Sequence, residues 1–423
     1  MKELISRREK VLASLKENSI AFIFAGYSKT SSEDEYLPFC INKNFYYLTN
    51  IEQENSVLVL IKGIGEETFT YLFVDEYNEL KEKWTGKRLT IDEASFMSSV
   101  NSIYTMNSFS SMLDLFLASQ NNQYGKIDKV YLDLSKEQKL NEENLSIDGF
   151  IDVIKEKNAN LEIANIYPIL AQLRMIKSPY EVEQIVKAIN ATNNGLSMLI
   201  SHMSSSIYEY ELNALFTCFG IRNGRHKLAF DTIIAAGKNA TCLHYPTQDS
   251  MLKENDLVLC DLGYRHNQYC SDITRTYPVN GKFTGLQKTI YEAVLNCNKA
   301  VINHIRSGMS LKELNDFTNE FLKQECVRLN LIKPEDDIRK YYFHSISHHL
   351  GLDTHDVGGR DTVLTNGNII TVEPGLYFEE YGIGVRIEDD VLITNGLAEV
   401  LSKDIKKEIK DIEALFQYRY KKL

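Results

Sequence analysis

Apolar residues between Leu4 and Leu15 recur at helical spacing, and the pattern then changes to short β-rich runs. Ile20–Phe24, Phe45–Leu48, Ser56–Ile61, Thr68–Val74 and Lys129–Leu134 are each predicted to be strands, so the first part of the chain reads as a mixed α/β unit. A boundary falls between Tyr167-Pro168 and Lys177, giving expected domains at 1–168 and 169–423. Just beyond it, Ser178-Pro179-Tyr180-Glu181 is a helix start. Ser178 is the N-cap, Pro179 sits where its missing N–H costs nothing, and Glu181 can reach back to the cap. Val182, Ile185, Ile189 and Leu196 follow at steps that predict a long amphipathic helix. Further on, two segments echo each other. Leu257–Tyr277 and Ile369–Ile393 both read as strand–turn–strand, and each carries two carboxylates. They suggest two halves of one C-terminal domain built alike around one site.

Composition narrows the choice of partners. The 423 residues are 43% hydrophobic and 25% charged, enough for a sizeable core in two or three domains. Asp and Glu number 58 against 47 Lys and Arg, an acidic excess that argues against nucleic acid or an anionic membrane surface as partner. No apolar run approaches the ~20 residues of a spanning helix, and the start, from Met1 to Arg8, lacks the apolar stretch of a secretory signal. The seven cysteines are scattered, with no C-x-x-C, as expected of buried thiols in a reducing compartment. A cytoplasmic location follows as an expectation.

The chemistry concentrates in the second half. Four of the nine histidines, His344, His348, His349 and His355, lie within twelve residues. Asp261 ends the apolar run Leu257–Cys260, and Asp272 shares a strand face with Thr274 and Thr276. Glu373 ends the run Ile369–Val372, while Arg386 and Glu388 share another face. A lone carboxylate in such a setting is driven neutral by desolvation unless a cation compensates it. Taken singly, each is most simply a salt-bridged strand residue. Four together point to shared positive charge, and a pair of divalent ions fits. Carboxylates with imidazole suit Mn²⁺, Co²⁺, Fe²⁺ or Zn²⁺. Spacing of four puts His344 and His348 on one side in a helix or a strand. His348 is the expected ligand, His344 faces substrate, and His349 is left to packing or surface.

The block Asp261-Leu262-Gly263 through Tyr269 to Phe283, the run HSISHHLGLDTHDVG from His344 to Gly358, Thr371–Tyr377 and Gly384–Asp389 closely resemble the metal-binding motifs of the Xaa-Pro aminopeptidases and Xaa-Pro dipeptidases (prolidases). The N-terminal half is similar to their accompanying domain in Ser32–Tyr36 and Asn44–Thr49. The resemblance implies an α/β (α+β) protein whose pita-bread domain, a curved antiparallel sheet with a pseudo-twofold, follows a smaller mixed domain. It implies two divalent ions, Mn²⁺ foremost. Asp261 would hold one, Asp272 and Glu388 would bridge both, and His348 and Glu373 would hold the other. Glu373 is then the proton acceptor, and His244 and His355 stabilise the oxyanion or carry protons. Tyr377, His344 and Arg386 line the substrate pocket. The expected reaction is hydrolysis of the N-terminal Xaa-Pro bond of peptides with proline second, by a homodimer or higher homo-oligomer. A prolidase is the alternative. A non-catalytic pita-bread binding protein is more remote, because all five ligand positions are filled. Phe230-Asp231, Cys40 and Asn50 depart from the family pattern, where Tyr with a small or polar residue, Arg, and Gly are common.

Overall fold

In a computed structural model of the chain, residues 2–419 are described except 34, 66, 119–123, 136–138 and 142–144. Asp34 of the quoted N-terminal motif therefore lies outside the described residues. The chain divides into two compact units, Met1–Leu173 and Arg174–Leu423.

The first unit is built on β1 (Ser19–Phe24), β2 (Val57–Lys62), β3 (Thr68–Val74), β4 (Ser102–Thr105), β5 (Lys129–Leu132) and β6 (Glu162–Asn165). They form one mixed sheet in the order β4-β3-β2-β1-β5-β6. β1 is buried along its whole length, as a central strand covered on both faces should be. Phe22 lies opposite Val59 on one side and Leu132 on the other. The helices are α1 (Lys2–Ser14), α2 (Lys43–Thr49), α3 (Glu79–Thr85), α4 (Ile91–Ser98), α5 (Phe109–Leu117), α6 (Ile147–Lys157) and α7 (Tyr167–Met175). Phe109 of α5 and Phe150 of α6 meet the sheet edge-on, the Phe24 and Phe150 rings lying 4.9 Å apart.

One sequence expectation fails here: Phe45–Leu48 is helix α2, not a strand. The Asn42 side chain accepts from the amides of Asn44 and Phe45, and Asn50 closes the helix in the left-handed region at φ 57°. Two good caps outweigh the β preference of an aromatic run. The same φ accounts for glycine being common where Asn50 stands.

The second unit repeats one plan. Helices α8 (Pro179–His202) and α9 (Glu209–Arg222) precede β7 (Lys227–Leu228), β8 (Ile233–Ala236), β9 (Leu257–Leu262), β10 (Tyr264–His266), β11 (Tyr269–Cys270) and β12 (Ile273–Pro278). Helices α10 (Gly285–His304) and α11 (Leu311–Arg328) precede β13 (Ile369–Val372), β14 (Gly375–Phe378), β15 (Ile383–Arg386), β16 (Asp389–Thr394) and β17 (Leu397–Val400), and α12 (Ile409–Arg419) follows. α8 opens with the capping box expected at Ser178 and Glu181. In each repeat an outer antiparallel pair, β9/β12 or β13/β16, encloses a short hairpin, β10–β11 or β14–β15. By hydrogen bonding the strands form four small antiparallel sheets, β12-β9-β8, β11-β10-β7, β13-β16-β17 and β14-β15. The repeats are stitched together where the Glu388 amide donates to the Thr274 carbonyl at 3.0 Å.

This plan sets the carboxylates. Asp261 is the penultimate residue of β9, Asp272 just precedes β12, Glu373 just follows β13, and Glu388 just precedes β16. All four stand where an outer pair gives way to its inner hairpin. Gly263 makes the first of these turns possible, since a Cβ there would lie 1.9 Å from the Ser271 carbonyl oxygen.

Candidate metal centre

The four junctions converge on a cavity of 380 Å³. Asp261, Asp272, His348, Glu373 and Glu388 line it together with His244, His344, His355 and Arg386. Tyr377 stands behind the wall, its hydroxyl 2.8 Å from His344 Nε2.

One atom each from Asp272, His348 and Glu388 lie within 4.8 Å of one another. His348 Nε2 is 3.4 Å from Asp272 Oδ2 and 3.6 Å from Glu373 Oε1. Asp261 joins the cluster through Arg386, whose Nη2 donates to Asp261 Oδ2 at 2.6 Å. Nη1 and Nε of that guanidinium donate to Tyr377 Oη (2.9 Å) and Thr274 Oγ1 (3.1 Å). Thr274 in turn donates to Glu388 Oε2 at 2.7 Å. Arg386 thus reaches Glu388 through a threonine hydroxyl.

His348 and its neighbours lie in neither a helix nor a strand, so the four-residue period is not what brings His344 and His348 to one cavity. Instead, the segment runs beside β13. The His348 amide donates to Thr371 Oγ1, the Thr371 amide to the His348 carbonyl, and the Glu373 amide to the Ile346 carbonyl. His349 is packed away at 1% exposure, and burial pulls its imidazole down to about 4.

The electrostatics suit a cation. Burial, and then the neighbouring carboxylates, raise Asp272 and Glu388 well above the ordinary carboxylate range. Glu373 rises to about 8 through burial and the nearby Glu388. Asp261 Oδ1 and Asp272 Oδ1 are buried without a hydrogen-bond partner among the described residues. His348 Nδ1 lies 3.1 Å from the His349 carbonyl, which only accepts, so Nδ1 carries the proton. Its Nε2 then points at the oxygens of Asp272 and Glu373, where it is placed to ligate beside them. The donor set fits divalent metal.

His344 differs. Burial, with Arg386 nearby, lowers it to about 3, so it is a neutral hydrogen-bonding group, Nδ1 donating to the Ser345 carbonyl and Nε2 accepting from Tyr377. His244 and His355 are exposed on the rim, the His355 ring 4.3 Å from that of His348. Phe230 is half-buried beside Gly263, and Asp231 and Cys40 are exposed. Thr371 and Arg360 are additions to the residues singled out by sequence. Thr371 lies two residues from Glu373, as Thr274 does from Asp272, so period-two reading outward from each carboxylate would have found it.

A strand–hairpin–strand repeat around an acidic, histidine-edged cavity is the architecture of the pita-bread proteins. Residues 183–395 match Metallopeptidase family M24, and residues 4–124 match Aminopeptidase P, N-terminal domain. The Xaa-Pro aminopeptidase of Haemophilus influenzae is 33% identical, covering 98% of this chain and 97% of that protein. That of Escherichia coli is 31% identical with the same coverage. A putative aminopeptidase P from Bacillus anthracis superposes with a TM-score of 0.93 at 37% identity, over 99% of this chain and 98% of that one. Zinc-substituted E. coli aminopeptidase P in complex with product gives 0.89 at 30%, with the same coverage. The chain belongs to metallopeptidase family M24, within its aminopeptidase P group.

Proposed function

We propose that this protein is a dinuclear metal-dependent aminopeptidase that removes the N-terminal residue from peptides with proline second. The observation that carries the reading is the meeting of three buried carboxylates, the half-buried Glu373 and Nε2 of His348 around one cavity. Asp261, Asp272, His348, Glu373 and Glu388 would hold two divalent ions, Mn²⁺ foremost. When bound, such ions supply Lewis acidity, polarising the scissile carbonyl and making water nucleophilic near neutral pH. Glu373, on the cavity wall, takes the proton of the attacking water. His244 and His355 face the opening, where an imidazole N–H can donate to the developing oxyanion and a ring nitrogen can pass a proton to the leaving proline nitrogen. His344, held neutral and oriented by Tyr377, gives the pocket a fixed shape. Shape must do the selecting, because proline's nitrogen offers no N–H to read.

The aminopeptidase reading is preferred to a prolidase because residues 4–124 match the aminopeptidase P N-terminal domain. The retained carboxylates speak against a non-catalytic binder. Among the described residues the seven cysteines form no disulfide, which supports a reducing, cytoplasmic setting, and a homo-oligomer is proposed with it. Among the described residues no helix is long and apolar enough to cross a membrane.

The test offers the protein a dipeptide such as Gly-Pro and a longer Xaa-Pro-Yaa peptide, before and after chelation. Cleavage of the longer peptide, abolished by chelator and restored by Mn²⁺, is expected. Cleavage confined to the dipeptide would make the protein a prolidase, and activity indifferent to chelator would remove the metal mechanism.

A further inference from the structure

Asn298 lies within α10 and is completely buried. An amide there is unfavourable unless its hydrogen bonds are met. Its Nδ2 donates to the Val372 carbonyl at 3.2 Å and, at 3.4 Å, to the Ile387 carbonyl. Its Oδ1 accepts from Lys407 Nζ at 2.7 Å, and the same ammonium bonds Asp389 Oδ2. The two carbonyls belong to the residues immediately before Glu373 and Glu388.

Their place in the ladder matters. The β13/β16 pairing ends at Val372 opposite Asp389, and the β14/β15 pairing begins at Gly375 opposite Arg386. Between them, residues 373–374 and 387–388 form a neck outside either ladder, crossed by the Ile387 amide donating to Pro374 at 3.2 Å. Each carbonyl that Asn298 grips lies in the peptide plane shared with the following glutamate. Fixing that plane restricts the glutamate's φ and so the direction of its Cα–Cβ bond.

We propose that Asn298, locked by Lys407, is a positioning residue that sets the orientation and separation of Glu373 and Glu388, and thereby the geometry of the metal centre. The inference rests on the metal reading above. Outer partners of metal ligands typically govern affinity by about 10–100-fold.

The test titrates the full-length metal-free protein with Co²⁺, following affinity by calorimetry and ligand geometry by the visible absorption bands. Asn298→Asp keeps the size and the Lys407 contact but turns acceptors toward both carbonyls, and Asn298→Ser removes the grip. Both are expected to bind Co²⁺ about 10–100-fold more weakly than wild type, with altered bands at saturation. Lower melting of the metal-free variants with wild-type affinity and bands would show a merely structural amide and overturn the proposal. If neither variant folds, Lys407→Met is read in the same way: about 10-fold weaker binding is expected, and unchanged binding overturns it. Wild-type protein that takes up no Co²⁺ would strike the metal reading itself, a result distinct from both.

Discussion

Arg386 brings a fixed positive charge to a group of four carboxylates and is committed to Asp261, Thr274 and Tyr377. The balance of negative charge falls on Asp272, Glu373 and Glu388, and among these Glu373 is the least buried and the closest to His344. That position suits a residue that must both face a cation and exchange a proton. Glu373→Gln keeps a carbonyl oxygen for ligation but removes the basic site. Its kcat is expected to fall by about 10²–10⁴-fold while metal, measured by elemental analysis, is still taken up. A variant with both ions bound and wild-type turnover would show that the proton goes elsewhere. These residues were legible one at a time because each carboxylate interrupts an apolar run. The hydroxyls of Thr274 and Thr371 were less so, since a threonine in a strand is unremarkable until its partner is known.

The segment after His348 shows how an element without regular structure is held still. Asp356 is buried and receives Lys177 Nζ at 3.0 Å and Arg174 Nη2 at 2.6 Å, and Arg174 also bonds Asp353 at 3.0 Å. Gly351 leaves room for it, since a Cβ there would lie 2.2 Å from Asp356 Oδ2. The exposed His355 is thereby tethered through its neighbour. Burial alone would raise the Asp356 carboxyl, but Lys177 and then Arg174 more than reverse this and hold it at about 2. The folded value lies below the ~3.9 of an unfolded aspartate, so its stabilisation is full above pH ~4 and disappears as pH falls towards 2. Asp356→Asn, which strands the buried Lys177 ammonium and leaves Arg174 with Asp353 alone, is expected to cost about 3–5 kcal/mol near neutral pH. Urea denaturation should show the gap to wild type narrowing between pH 4 and 2; a gap that widens on acidification would refute the account. Sequence reading succeeded for elements that carry their own signals, such as the capped start of α8 and the apolar run of β2. It failed at Phe45–Leu48, where capping asparagines overrode aromatic β preference, and it had no access to Asn298, whose partners lie 74 and 89 residues away.

Across the whole chain, the carboxylates that define the site are pushed away from their ionised form by burial and by one another. Folding of the second unit therefore works against its own centre, and metal should return that energy. At 100 times its Kd a bound ion adds about 2.7 kcal/mol, worth about 5–10 °C in Tm for a unit of this size. Calorimetry with chelator and then with Mn²⁺ should show a transition moved down and restored by that amount; a melting profile blind to both would mean the acidic cavity is tolerated without metal. The duplicated plan was visible in the sequence as two segments with paired carboxylates, but their meeting depends on contacts such as Glu388 with Thr274, which no local pattern announces. That duplication also governs when the chain becomes competent during synthesis. A nascent polypeptide that has emerged only through β12 holds half a cage, Asp261 and Asp272 without His348, Glu373 and Glu388. The full set of five groups can therefore meet only late, once the second hairpin has been made.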